Sequence, residues 1–271
     1  MKIKRYIKLL VPSFIFFVMM EFFFKSAGLS YASLITLFLI SISSAFWITR
    51  YRFLPIVLIV LFTTGSVLFL ITLGENSFQQ LYIGASSLIF ALALIGLYRF
   101  FIQQEKWIKD EKIKPRVLDS GFNLNQAIIL ISIFLISSGV YGLYIDLDLP
   151  LWTILLTIFI TIFFSTLYLT RINFLKSKAH ELYLDSARNK TFNFYSFLLG
   201  FIIVELVWAM SFWPANHLTA GAMILLAYYF CWSILRDYLR NMLLRKTIIF
   251  NLLFFIIFLG VTLFTGNWRI S

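Results

Sequence analysis

Nine long apolar stretches, separated by short polar segments, make up most of the chain. Stretches of about 18 or more apolar residues predict transmembrane helices, because about 20 residues at about 1.5 Å each cross a hydrocarbon core about 30 Å thick. The predicted spans are Leu9–Phe24, Tyr31–Ile48, Phe53–Leu73, Leu81–Phe101, Gln126–Ile145, Leu151–Leu169, Asn193–Trp213, Leu218–Leu235 and Thr247–Phe264. The pattern therefore predicts an all-α integral membrane protein with nine transmembrane helices.

The polar segments between the spans predict the orientation. Lys and Arg accumulate on the cytoplasmic side of membrane proteins. If the N-terminus lies inside, the inner segments hold all of the 23 Lys and Arg except Lys25 and Arg269. We therefore expect the N-terminus inside and the C-terminus outside, in the inner membrane of a cell.

Composition and charge narrow the class of protein. Hydrophobic residues make up 61% of the chain and charged residues 13%, far from the balance of soluble proteins. The net charge of +11 comes from residues spread between the spans, which favours contact with anionic lipids at the inner face over a nucleic-acid partner. The single cysteine, Cys231, and two histidines, His180 and His217, predicted on opposite sides, suggest no metal site, and no cofactor motif is present.

An internal duplication organises the predicted spans. The segment 30–50 aligns without gaps with 151–171 and keeps several Thr, Ser and Arg residues, and a second match pairs Gly84 with Gly221. This predicts two parallel four-helix repeats plus one helix, with chance similarity between apolar segments as the alternative. The predicted limits are 1–102 for the first unit, 103–125 for a cytoplasmic connector, 126–240 for the second unit with an inserted connector at 171–192, and 241–271 for the ninth helix and outer tail.

The two connectors mix charges of both signs with spaced apolar residues. Each predicts either a short amphipathic helix on the membrane surface, the first anchored by Trp107, or a solvated loop with a helical extension.

Polar residues at membrane depth are the candidate ligand or proton site: Glu205, Trp208, His217 and Glu21. Three have plain structural explanations, since Glu21 lies one turn from Lys25, Trp208 suits an interfacial aromatic belt, and His217 lies in an outer turn. Glu205 has apolar neighbours three and four positions away in its own helix, so its partner must come from another helix, a ligand or a water-filled pocket. The candidate hydroxyls are those of Ser41, Ser44, Ser137, Ser138, Tyr141 and Tyr144.

The segment ELVWAMSFWP, Glu205 to Pro214, resembles a segment of uncharacterised multi-pass membrane proteins of small-genome bacteria that are grouped as a domain of unknown function. The resemblance covers less than a tenth of the chain and implies no activity, substrate or catalytic residue.

Three functional hypotheses follow. Duplicated units with an intramembrane acid between them favour a transport-type or small-ligand-binding protein. The alternative is a non-catalytic subunit or assembly partner that binds other membrane proteins. A lipid-modifying enzyme comes third, because no catalytic motif or cluster is evident.

Overall fold

The computed structural model describes residues 3–25, 30–49, 54–74, 76–102, 115–176, 186–213, 215–239 and 244–265. These residues form nine α-helices, and a π-helical turn, Tyr98–Ile102, continues the fourth. Their bounds are α1 Ile3–Lys25, α2 Ser30–Thr49, α3 Leu54–Thr72, α4 Asn76–Leu97, α5 Pro115–Leu147, α6 Leu151–Lys176, α7 Ser186–Met210, α8 His217–Leu239 and α9 Arg245–Thr265.

Eight of these helices, α2 to α9, are long and apolar enough to cross a membrane. The reason is physical: in lipid, a helix satisfies all its backbone hydrogen bonds within the segment. The prediction of an all-helical protein with multiple apolar spans is confirmed for the described residues, while the crossing by α1 stays a prediction.

Three helices continue into the connectors. α5 begins at Pro115, within the predicted connector 103–125, and α6 and α7 extend to Lys176 and from Ser186 into the connector 171–192. The described parts therefore match the helical-extension alternative. Trp107, His180 and the ranges 103–114 and 177–185 lie outside the described residues.

The chain divides into two compact units, Met1–Ser132 and Ile133–Ser271, and the boundary falls within α5. The predicted domain limits stay a prediction. In the first unit, the rings of Phe16, Phe62 and Phe90 lie together at the centre of α1, α3 and α4, with 4.4 Å between the centroids of Phe16 and Phe90. These three rings form a buried aromatic core for that unit.

The start of α5 packs very closely on the end of α4. A Cβ added at Gly121 would lie 2.9 Å from the backbone nitrogen of Phe100, and one at Gly96 would lie 2.7 Å from Oδ1 of Asn125. Gly121 and Asn125 were predicted to lie in the connector, and Gly96 and Phe100 in a span, so the connector packs closely on the end of α4.

The second unit contains the end of α5 with α6, α7, α8 and α9. Glycines again mark the close contacts: a Cβ on Gly221 of α8 would lie 2.7 Å from Oγ of Ser138 on α5, and one on Gly200 of α7 would lie 3.1 Å from the ring of Phe159 on α6. α9 differs from the other helices because the part that could span a membrane, Arg245–Thr262, has no buried residue.

Candidate functional site

One side of α7 is buried in the second unit. Leu199, Ile203, Val207 and Met210 are all at most 4% exposed. The Gly200 contact with Phe159 lets α7 approach α6 closely on this side. The buried side of α7 is therefore fixed by packing against its neighbours.

A hydrogen bond from α5 also fixes the rotation of α7 about its own axis. The hydroxyl of Tyr141 donates to the backbone carbonyl of Val207, with 3.1 Å between the oxygens. Two residues along an α-helix correspond to about 200° of rotation at about 3.6 residues per turn, so Glu205 points away from the side that carries Val207. Glu205 is exposed, as this geometry requires.

Glu205 belongs to a continuous exposed stripe on α7. We call this stripe the Glu205 face; its five residues are Phe194, Leu198, Phe201, Glu205 and Trp208, and all are exposed. They alternate by four and three positions, which keeps them in line along one side of the helix. Trp208 is 53% exposed and Phe201 50%, so an exposed ring lies one turn on each side of the carboxyl group.

The carboxyl group lies well within the apolar part of α7. The span Lys190–Met210 places Glu205 15 residues from one end and 5 from the other. At about 1.5 Å per residue these are about 22 Å and about 8 Å, so Glu205 lies in the half of the span nearer Met210. The other members of the Glu205 face are apolar or aromatic, as a lipid-facing surface requires, and Glu205 is the exception.

No hydrogen bond or ion pair among the described residues involves Glu205. Four of the six hydroxyls considered from the sequence bond elsewhere: Ser41 accepts from Thr63, Ser44 donates to the Ile40 carbonyl, Ser138 to the His217 carbonyl, and Tyr141 to the Val207 carbonyl. None of the six hydroxyls therefore bonds to Glu205.

Trp208 and His217 lie close together along the chain but have different surroundings. The ring of Trp208 meets that of Phe212 edge to face, with 5.3 Å between centroids. His217 begins α8 and is partly buried, and its carbonyl accepts the bond from Ser138 at 2.9 Å. Trp208 therefore shares the exposed surface with Glu205, whereas the backbone of His217 serves in packing α8 against α5.

Glu21 belongs to the first unit. Its Oε2 lies 2.8 Å from Nζ of Lys25, so the local ion pair considered from the sequence is present. This ion pair is a structural explanation for Glu21, and a ligand or proton role for Glu21 stays a prediction.

Two polar contacts were missed by the sequence reasoning. On α8, the Nε of Arg236 lies 3.1 Å from Oδ1 of the buried Asp237, the next residue along the helix. On α9, the amide of Asn251 donates to Oγ of Ser233 at 2.8 Å. An isolated Asn in an apolar span was the available signal for the second contact. Within the part of the chain that the structure describes, no group of three or more His, Cys, Asp and Glu could hold a metal ion.

The fold and this surface define the class: a multi-pass helical membrane protein that, in the part of the chain that the structure describes, exposes the carboxyl group of Glu205 within an apolar span. A family model for a protein of unknown function, DUF5656, matches residues 124–265. That is just over half of the 271 residues, and the chain belongs to this family. The matched range includes the ELVWAMSFWP segment, and the resemblance to a domain of unknown function is confirmed. No curated protein and no solved structure matches the chain.

Proposed function

We propose that this protein is a non-catalytic subunit or assembly partner of a membrane complex, and that the Glu205 face is the surface that its partner covers. The observation that carries the proposal is the position of Glu205, exposed at membrane depth on a helix whose rotation is fixed by Tyr141 and by the packing of Gly200.

Lipid is an unfavourable neighbour for this side chain. A charged side chain such as Asp costs about 2.5 to 3.5 kcal/mol at the centre of a membrane helix, and less at the position of Glu205, five residues from the end of its span. A carboxyl group in any form also needs hydrogen-bond partners that acyl chains lack. Intramembrane acids accordingly face other protein groups or water. A protein partner removes this cost, and the apolar residues of the same face supply the packing area that drives helix association in membranes.

The transport-type hypothesis requires a different environment for Glu205. A carrier would need the carboxyl group to line an internal, water-accessible cavity. The exposure of Glu205 supports the assembly role, so we place that role first.

Three further features of the proposal concern the molecule in its membrane. From the distribution of Lys and Arg, we infer that the protein lies in the inner membrane. The same distribution indicates that its N-terminus faces inside and its C-terminus outside. We also infer that the two halves arose by parallel duplication. The support for these inferences is the sequence pattern of charges and of matched Thr, Ser, Gly and Arg positions.

The experiment compares three tagged chains: the unaltered chain, Glu205→Leu and a control variant. Each is expressed at its natural level in its native cells. Native gels of membranes solubilised in mild detergent report the size of the complex. We expect the unaltered chain to migrate as a complex larger than the monomer. We expect the monomer fraction to be at least tenfold higher for Glu205→Leu than for the unaltered chain. Leu suits an exposed membrane surface, so this variant should still fold.

The matched control is Ile160→Val. Ile160 is 44% exposed on α6, away from the Glu205 face, and should leave the complex intact. The proposal is wrong if Glu205→Leu leaves the size of the complex unchanged, or if Ile160→Val disrupts it to the same extent.

A further inference from the structure

The chemistry of the Glu205 face indicates what kind of partner it fits, on the assumption that the proposed assembly role is correct. A carboxylate in a membrane is best compensated by a cation that also donates hydrogen bonds, and such charge-assisted bonds are roughly twice as strong as neutral ones. The exposed rings of Phe201 and Trp208 flank Glu205 on the same face. Aromatic rings bind ammonium and guanidinium groups through their negatively polarised faces, and Trp does so best. The acid and both rings therefore favour the same ligand, a Lys or Arg side chain.

A second copy of this chain has no basic side chain level with Glu205 within its predicted spans, and Lys25, just beyond the end of Leu9–Phe24, is already paired with Glu21. The basic residues of α7 are Arg188 and Lys190, and Lys190 is about 22 Å from Glu205 along the helix. Among all nine spans predicted from the sequence, only Leu81–Phe101 contains a basic residue, Arg99, and it is two positions from the end. Two copies meeting through this face with the same membrane orientation would also place carboxyl against carboxyl.

The spacing of the Glu205 face suits a helix as the occupant. Its residues alternate by four and three positions over four turns, which is the arrangement that lets two helices pack side by side with a small crossing angle. A single polar residue within such an apolar stripe fixes the register of the two helices, because it must meet its counterpart.

We propose that the Glu205 face binds a transmembrane helix of another membrane protein that carries one Arg or Lys side chain level with Glu205. Phe194 and Leu198 pack against apolar residues of that helix, and the Phe201 ring covers the cation from the farther end of the span. Glu205 pairs with the cation, and the Trp208 ring covers it from the nearer end of the span.

The test uses the purified full-length chain in liposomes, labelled at one terminus, and synthetic membrane-spanning peptides that carry the matching dye. The host peptide is a Leu-Ala helix with one guest position, level with Glu205, occupied by Arg, Lys, Gln or Leu. Energy transfer measured against peptide density in the bilayer gives the relative affinities. We expect the Arg and Lys peptides to bind at least tenfold more tightly than the Leu peptide, and we expect Glu205→Leu to abolish that preference.

Two controls test whether the face, and not merely an acid in a bilayer, is responsible. Glu205→Gln keeps the shape and should lose most of the preference for Arg. Leu88→Glu, made together with Glu205→Leu, moves the carboxyl group to a position of α4 that is 69% exposed and has no aromatic residue three or four positions away. If this double variant binds the Arg peptide as well as the unaltered chain does, the proposal is wrong.

Other outcomes also overturn the inference, and they can be told apart from failure of the proposed function. Equal binding of the Gln and Arg peptides would make the partner a hydrogen-bond donor without charge. Energy transfer between two labelled copies of the chain, if Glu205→Leu abolishes it, would show that a second copy binds the Glu205 face. In both cases the native gels decide about the assembly role. If the native complex dissociates in Glu205→Leu, the assembly role is still supported. If that variant leaves the native complex intact, the assembly role is wrong.

Discussion

At the scale of single residues, two glycines matched by the sequence duplication have very different surroundings. A Cβ added at Gly221 would meet Oγ, Cβ and the backbone nitrogen of Ser138 at 2.7 to 3.0 Å. A Cβ added at Gly84 would meet nothing within 4 Å. The same residue type therefore serves close helix packing at one position and has no such packing role at the other.

Ala substitutions at these two glycines form a matched pair of variants. We expect Gly221→Ala to lower the free energy of unfolding by about 1 to 3 kcal/mol, because the backbone of α5 blocks the added methyl group. Gly84→Ala should leave it unchanged or raise it by up to about 1 kcal/mol, because Ala favours the helix over Gly. Unfolding in mixed detergent micelles with increasing SDS measures both, and equal effects of the two substitutions would contradict the close α5–α8 contact.

At the scale of helices, α9 is held to the second unit through α8. The rings of Phe230 and Phe255 lie 5.1 Å apart, and the Asn251 amide donates to Ser233. The described part of α9 that could span a membrane has no buried residue, so such contacts with α8 attach α9 to the rest of the unit.

The Asn251–Ser233 bond can be measured by a double-mutant cycle. Hydrogen bonds between membrane helices contribute about 0.6 kcal/mol on average and up to about 1.7 kcal/mol. We expect Asn251→Leu and Ser233→Ala to show a coupling energy in this range, measured by SDS unfolding of the two single variants and the double variant. Strictly additive effects would mean that the bond adds nothing to the attachment of α9.

At the scale of the whole molecule, the charge distribution predicts which segments face which side. In a Cys231→Ser background, single cysteines at positions 112 and 178 should react only with thiol reagents that reach the cytoplasm. Cysteines at 148 and 216 should react with an impermeant reagent added outside intact cells. Labelling of position 112 from outside would contradict both the predicted helix count and the orientation.

The positions of the helices could be predicted from the sequence to within a few residues at most ends. Leu151 begins α6 as expected, and α2 and α3 begin within a residue of the predicted start. A run of apolar residues long enough to cross a bilayer must be helical there, so length and composition suffice. The extension of α5 back to Pro115 could not be predicted in this way, because residues 115–125 mix polar and apolar side chains. The packing of Gly121 against Phe100 appears only in the structure.

The candidate site could be predicted from the sequence only in part. The sequence by itself determined that Glu205 lies at membrane depth, since this depends only on counting residues along a helix. It could not determine which way Glu205 points, because both sides of a membrane helix are apolar and hydrophobic periodicity no longer distinguishes the buried side from the exposed one. Tertiary structure decided this: the Tyr141 hydroxyl and the Phe159 ring, from two other helices, bind the opposite side of α7 and turn Glu205 outward.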